Sequence, residues 1–205
     1  MVQRDKRPEQ EKALAHLSRH GAMAALIARV GPPRFGEYST RDVLAGLLEA
    51  VVSQQLSEKA AKAVFNRLVA LHPSGFPDAA FLAETDPGIL RNAGLSRSKI
   101  RSVREICSQV SGGELSLDSL SKMEDEEVVR RLTELWGVGR WTAEMVLIFP
   151  LRRPDVWPVG DLSMRRGLAA LLGLPSVPAP AETGPLGDPW KPFRSYAAWY
   201  LWRAS

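Results

Sequence analysis

A single cysteine, Cys107, stands in a chain of 205 residues. One thiol excludes an internal disulfide, a cysteine-based zinc site and an iron–sulfur cluster, which needs about four thiolates. Long apolar runs are also missing. No stretch approaches the roughly 18 consecutive apolar residues of a membrane span, and MVQRDKRPEQEK at the N-terminus lacks the apolar core of a secretion signal. The protein is therefore expected to stay where it is made, in a reducing interior and away from membranes. Sustained strand-like alternation with β-branched enrichment is absent, as are internal repeats and low-complexity tracts. Charge of one sign is only mildly in excess. Lys and Arg number 27 against 23 acids, a net of +4 that is compatible with a nucleic-acid partner without requiring one.

What is present is ordinary globular composition, 45% hydrophobic and 24% charged, at a length that suits one domain or two small subdomains. Apolar residues recur at helical spacing throughout, so the fold class is read as all-α. A first helical pair carries Leu14 and Leu17, passes Gly21, continues through Met23, Leu26, Ile27 and Val30, and stops at Gly31-Pro32-Pro33. Ser39 or Thr40 can cap a second run in which Val43, Leu44, Leu47, Leu48, Val51 and Val52 form a wide buried stripe. That stripe ends at Ser53-Gln54-Gln55, and Ser57 can cap the next helix, so both glutamines lie at a helix-to-helix junction. Further helices are expected from Pro87, from about Ser98 to Gly112, from Asp125 to Leu135, from Trp141 to Phe149, from Leu162 to Leu172 and from Phe193 to Trp202. The segment from Leu174 to Pro192 carries six prolines and is expected to be largely irregular. Basic charge is concentrated between Arg91 and Ile106, where Arg91, Arg97, Lys99, Arg101 and Arg104 face Glu105 alone.

Two glycines at alternate positions join the helices on either side of Leu135-Trp136-Gly137-Val138-Gly139-Arg140-Trp141-Thr142-Ala143. Glycine permits a tight turn and a close approach of phosphate to backbone amides, and the following helix start offers more unpaired N–H groups. The same pattern is equally compatible with a plain αα turn. His16 and His20 at i, i+4 have no third ligand in view and do not make a metal site.

The run from Trp136 to Ala143 resembles the hairpin of the helix-hairpin-helix DNA glycosylases, whose pattern is Leu-Pro-Gly-Val/Ile-Gly-x-x-Thr-Ala. Pro154-Asp155-Val156-Trp157-Pro158-Val159-Gly160-Asp161 through Gly167 is similar to that family's stretch around its catalytic aspartate, which falls on Asp161. Val52 through Ser57 is similar to the junction that supplies the DNA-inserting residue. Trp190-Lys191-Pro192-Phe193-Arg194-Ser195-Tyr196-Ala197 resembles the C-terminal motif of the DNA-3-methyladenine glycosylase II branch. Two departures stand out: Trp136 replaces the proline before the first hairpin glycine, and Met145 replaces an aromatic found in some relatives.

The resemblance implies two helical subdomains, residues 40–150 as a central bundle and residues 1–39 with 151–205 as the other, and a monomeric enzyme acting on damaged double-stranded DNA. It would excise alkylated purines, 3-methyladenine and 7-methylguanine first, in bacterial cytoplasm beside the nucleoid or in a eukaryotic nucleus. Rival readings are another damaged base, or a noncatalytic helix-hairpin-helix DNA-binding protein. Asp161 would stabilise charge on the sugar C1′ or orient water, and its position before Leu162 also reads as a helix N-cap. Trp141, Trp202 and Met145 would line the base pocket, and Gln55 or Leu56 would fill the gap left by the flipped nucleotide. Gly137, Gly139, the Arg140 amide and Arg165 would hold phosphate. Bifunctional relatives carry a lysine where this chain has Trp141, so no strand cutting through a Schiff base is expected. No cofactor is required, although relatives hold a monovalent cation (Na or K) under the hairpin, here on the carbonyls of Thr133, Trp136 and Val138.

Overall fold

Small polar residues and glycine set the helix ends in the computed structural model, which describes residues 7–35, 42–72 and 75–204. The helices are α1 (Arg7–Leu17), α2 (Gly21–Val30), α3 (Val43–Ser53), α4 (Glu58–Val69), α5 (Ala79–Glu84), α6 (Pro87–Asn92) and α7 (Arg97–Ser111). They continue with α8 (Leu117–Leu120), α9 (Asp125–Thr133), α10 (Arg140–Ile148), α11 (Leu162–Leu172), α12 (Pro180–Leu186) and α13 (Arg194–Leu201). A 3-10 turn covers Asp188–Trp190, and no strand occurs among the described residues. The chain is all-α, as the apolar spacing predicts.

The chain divides into two compact units, Gly36–Arg152 and Met1–Phe35 with Arg153–Ser205. The resemblance places the boundaries at 39/40 and 150/151, the first of which lies outside the described residues.

In the Gly36–Arg152 unit α3 is the central helix. Eight of its residues, including Leu44, Leu47, Leu48, Val51 and Val52, are buried, and each such aliphatic side chain contributes about 1.5–3 kcal/mol by leaving water. Ser39 and Thr40 lie outside the described residues; the cap is supplied by Asp42, whose carboxylate accepts the Ala45 amide at 2.9 Å. α3 packs on α4, α7 and α10, while α5 and α6 lie against α7. A side chain at Gly46 would come within 2.8 Å of the Pro150 ring, so the chain past α10 passes close over α3.

In the other unit α2, α11 and α13 pack together. A Cβ at Gly167 would sit 1.9 Å from the Leu201 carbonyl oxygen, so α11 and α13 touch backbone to backbone there. The proline-rich segment is more ordered than expected. Pro180 occupies the first turn of α12, where its missing N–H is not needed, and Glu182 turns back to accept the Ala179 amide at 2.7 Å. Thr183 and Trp190 are buried, and the Trp157 indole N–H donates to the Thr183 carbonyl at 2.9 Å. Proline spacing alone hides a helix that begins on proline and lasts seven residues.

Candidate active site and nucleic-acid interface

The sequence Glu134 to Gly139 turns the chain from α9 into α10. Gly137 has φ +76°, and a Cβ there would lie 2.2 Å from the Ser102 hydroxyl, so both conformation and space demand glycine. Gly139 differs. Its backbone is extended at φ −96°, and a Cβ would meet nothing within 4 Å. Both glycines are exposed, and because α10 starts at Arg140 its first-turn amides have no intrahelical acceptors. The hairpin thus presents N–H groups at the positive end of a helix dipole, a surface suited to phosphate.

The Arg140 side chain is committed elsewhere. Its guanidinium bonds both carboxylate oxygens of Glu126 and donates through Nε to buried Glu144 at 3.1 Å. Hydrogen bonding to that guanidinium holds the Glu126 carboxyl below its ordinary value. The Arg140 backbone amide, first in α10, has no intrahelical acceptor.

Trp136, in place of the usual proline, is 45% exposed. Arg101 of α7 stacks on its ring at 3.5 Å from the centroid, and its amide donates to Glu105 at 3.1 Å. These contacts fix the hairpin to α7. Among the described residues no hydrogen bond ends on the carbonyls of Thr133, Trp136 or Val138, whereas those of Leu132, Leu135, Gly137 and Gly139 all accept. Three unclaimed main-chain oxygens on one turn are the hard donor set that a monovalent cation takes, so the residues present fit such an ion.

The junction between α3 and α4 exposes Gln55 and Leu56, the latter 40% exposed. Gln55 adopts φ +57°, the left-handed region that costs a non-glycine residue about 1–2 kcal/mol. Two residues that the sequence reading passed over hold this turn. The Lys99 ammonium donates to the Val52 carbonyl at 2.7 Å and the Gln54 carbonyl at 2.9 Å. Gln54 Nε2 donates to the Gly137 carbonyl and the Thr142 hydroxyl, both at 2.9 Å. The exposed junction and the hairpin are therefore tied through one amide side chain. Burial lowers the Lys99 pKa below its ordinary value.

Asp161 is buried, 8% exposed, and caps α11. Its Oδ1 accepts the Met164 amide at 2.7 Å and the Trp202 indole N–H at 3.1 Å. Two residues singled out from sequence thus meet, and the carboxylate that caps α11 is the one bonded by the Trp202 indole. Arg165 is half-buried and donates to the Pro178 carbonyl at 2.8 Å, which ties that guanidinium to the loop before α12 as well as leaving it near the surface. Trp141 is half-buried and Met145, one turn on, is buried. Both belong to the Gly36–Arg152 unit, whereas Asp161, Arg165 and Trp202 belong to the other.

The family model described as HhH-GPD superfamily base excision DNA repair protein matches residues 48–192. DNA-3-methyladenine glycosylase 1 of Schizosaccharomyces pombe is 42% identical over 161 residues, 78% of this chain and 71% of that protein. A solved S. pombe 3-methyladenine DNA glycosylase in complex with abasic DNA superposes with a TM-score of 0.86 at 38% identity, covering 94% of this chain and 95% of that one. A DNA-3-methyladenine glycosidase from Bacillus halodurans gives a TM-score of 0.76 at 30% identity, covering 97% and 90%.

Proposed function

Since this chain belongs to the HhH-GPD superfamily of base excision DNA repair proteins, we propose that it is a monofunctional glycosylase that removes alkylated purines from double-stranded DNA. The observation that carries the reading is Asp161, a buried carboxylate whose orientation is fixed by the Met164 amide and the Trp202 indole. The relatives named DNA-3-methyladenine glycosylase, one of them solved in complex with abasic DNA, support the substrate class.

Reaching a stacked base requires the nucleotide to leave the duplex, at a cost of a few kcal/mol, and the gap to be filled. Gln55 and Leu56 are the exposed candidates for that filling. Phosphate beside the lesion would rest on the amides of Gly137, Gly139 and Arg140. A monovalent cation on the carbonyls of Thr133, Trp136 and Val138 would add positive charge beneath that phosphate.

Alkylation at N3 or N7 makes a purine cationic and already a good leaving group, so little general-acid help is needed. As the C1′–N bond breaks, its electron pair leaves with the base and positive charge grows on C1′. The Asp161 carboxylate lowers the energy of that charge, and oxygen from water then bonds to C1′ while its proton passes to solvent or to the carboxylate. Trp141 in one unit and Trp202 in the other each carry an electron-rich ring of the kind that stacks on a cationic base. Trp141 also stands where a lyase would carry its amine, and an indole cannot form a Schiff base. We expect a monomer to suffice.

The test is chromatography of bases released from methylated DNA by the wild type and Asp161→Asn, with borohydride trapping alongside. Asparagine keeps the N-cap oxygen, so the variant should fold and bind DNA yet lose release. Release by both proteins would remove Asp161 from the mechanism. A trapped adduct would refute the monofunctional assignment, and no release by DNA-binding wild type would favour another lesion or a binding protein.

A further inference from the structure

We propose that a second DNA contact lies in the groove between α6 and α7, which takes the phosphodiester backbone of undamaged nucleotides beyond the hairpin. This inference rests on the glycosylase reading and extends its footprint.

The groove has a volume of about 740 Å³ and is bordered by Arg91, Arg97, Arg101 and Arg104 with Glu84 and Glu105. All four arginines are exposed. None takes part in the ion pairs seen among the described residues, such as those of Arg131, Arg140, Lys191 and Arg194. Of the two acids, Glu105 already accepts the Trp136 amide. Four guanidiniums against two carboxylates leave the groove with a net charge of +2.

Spacing favours a strand of phosphates over a compact anion. Arg97, Arg101 and Arg104 follow one another at i, i+4 and i+7 along α7 and span about 10 Å at 1.5 Å per residue. A duplex rises about 3.4 Å per nucleotide along its axis, so a row lying along that axis spans roughly three nucleotides. The groove also runs into the hairpin. Arg101, on its wall, stacks on Trp136, and Ser102 on the same helix packs under Gly137. Backbone phosphate that reaches the hairpin amides is thus adjacent to Arg101, the middle guanidinium of the row, with Arg97 and Arg104 one turn away on either side.

Arg91 and Arg97 make the clean test, because Arg101 braces Trp136 and Arg104 donates to the Ala83 carbonyl at 3.0 Å. Affinity of wild type and Arg91→Gln/Arg97→Gln for a lesion-bearing duplex would be measured by fluorescence anisotropy from about 50 to 200 mM salt. Each phosphate neutralised contributes about 0.9 to the slope of log K against log salt, so the double variant should lose about 1.8. Across that fourfold salt range the wild type should then lose about twelve-fold more affinity than the variant. Shortening the duplex on one side of the lesion should abolish the difference. An unchanged slope, with wild type and variant both excising methylated purines, would overturn the proposal and favour an acidic protein as the partner of these arginines. A wild type that neither binds nor excises would overturn the glycosylase reading and this inference together.

Discussion

Replacing Lys99 by methionine should uncouple the exposed junction from the rest of the unit while keeping the buried part of the side chain. The substitution removes the two bonds to the Val52 and Gln54 carbonyls. A hydrogen bond from a charged donor contributes about 1.5–3 kcal/mol, and a cation at the end of α3 adds about 0.3–1 kcal/mol through the helix dipole. Lys99 and Gln54 are both half-exposed, so water recovers part of this, and a net loss of about 2–3 kcal/mol is expected. The conformation at risk is that of Gln55, held at φ +57° against its own preference. If about 1.4 kcal/mol of the loss falls on that turn, the population poised for insertion drops about tenfold. The assay is single-turnover excision from methylated duplex and single-stranded DNA, below the melting temperature of the variant. Only duplex needs the gap filled, so the ratio of duplex to single-strand rates should fall about tenfold, as it should for Gln55→Ala. Equal slowing on both substrates would mean that Lys99 serves stability alone, and the argument would fail.

Glu49 predicts a pH effect on stability. Burial raises its pKa from 4.5 to about 7, against the opposing charge of Lys62. The folded state then binds the proton more tightly, so the stabilisation is full below pH 4.5 and is lost as pH rises through about 7. A shift of this size corresponds to about 3 kcal/mol, which partial exposure reduces to about 1–2 kcal/mol. Glu49→Gln should flatten thermal melts over that window, and a wild-type slope unchanged in the variant would refute the assignment. Gly139→Ala should cost the fold less than about 1 kcal/mol yet weaken duplex binding, because its missing Cβ leaves room for a ligand and not for the protein. Gly137→Ala should instead lower the melting temperature by several degrees, and adding Ser102→Ala should recover only the part due to the 2.2 Å clash.

The contrast between these two glycines marks what was legible in the chain. Periodicity and punctuation placed the helices well: Leu162–Leu172 ending at Gly173 is found as read, with the glycine in the left-handed conformation. Asp161 could be singled out because the run from Pro154 to Gly167 resembles the family's stretch around its catalytic aspartate; composition and periodicity alone mark it only as an N-cap. The bond from Trp202 to Asp161 joins residues 41 apart, and no periodic signal connects them; only a resemblance to known proteins put both on one site. Gln54 and Lys99 left no such trace. Gln54 looked like the twin of Gln55, yet one points to solvent and the other crosses to Gly137, 83 residues away. A polar side chain's role is set by which long-range partner the fold brings within 3 Å, and local sequence carries no record of that partner. The basic run from Arg91 to Arg104 shows the same limit from the other side. Its charge was plain in the sequence, but only packing separates Lys99, turned inward onto two carbonyls, from the arginines that line an open groove. The inward lysine and the outward arginines divide one cluster between holding the protein's own backbone and meeting that of a polyanion.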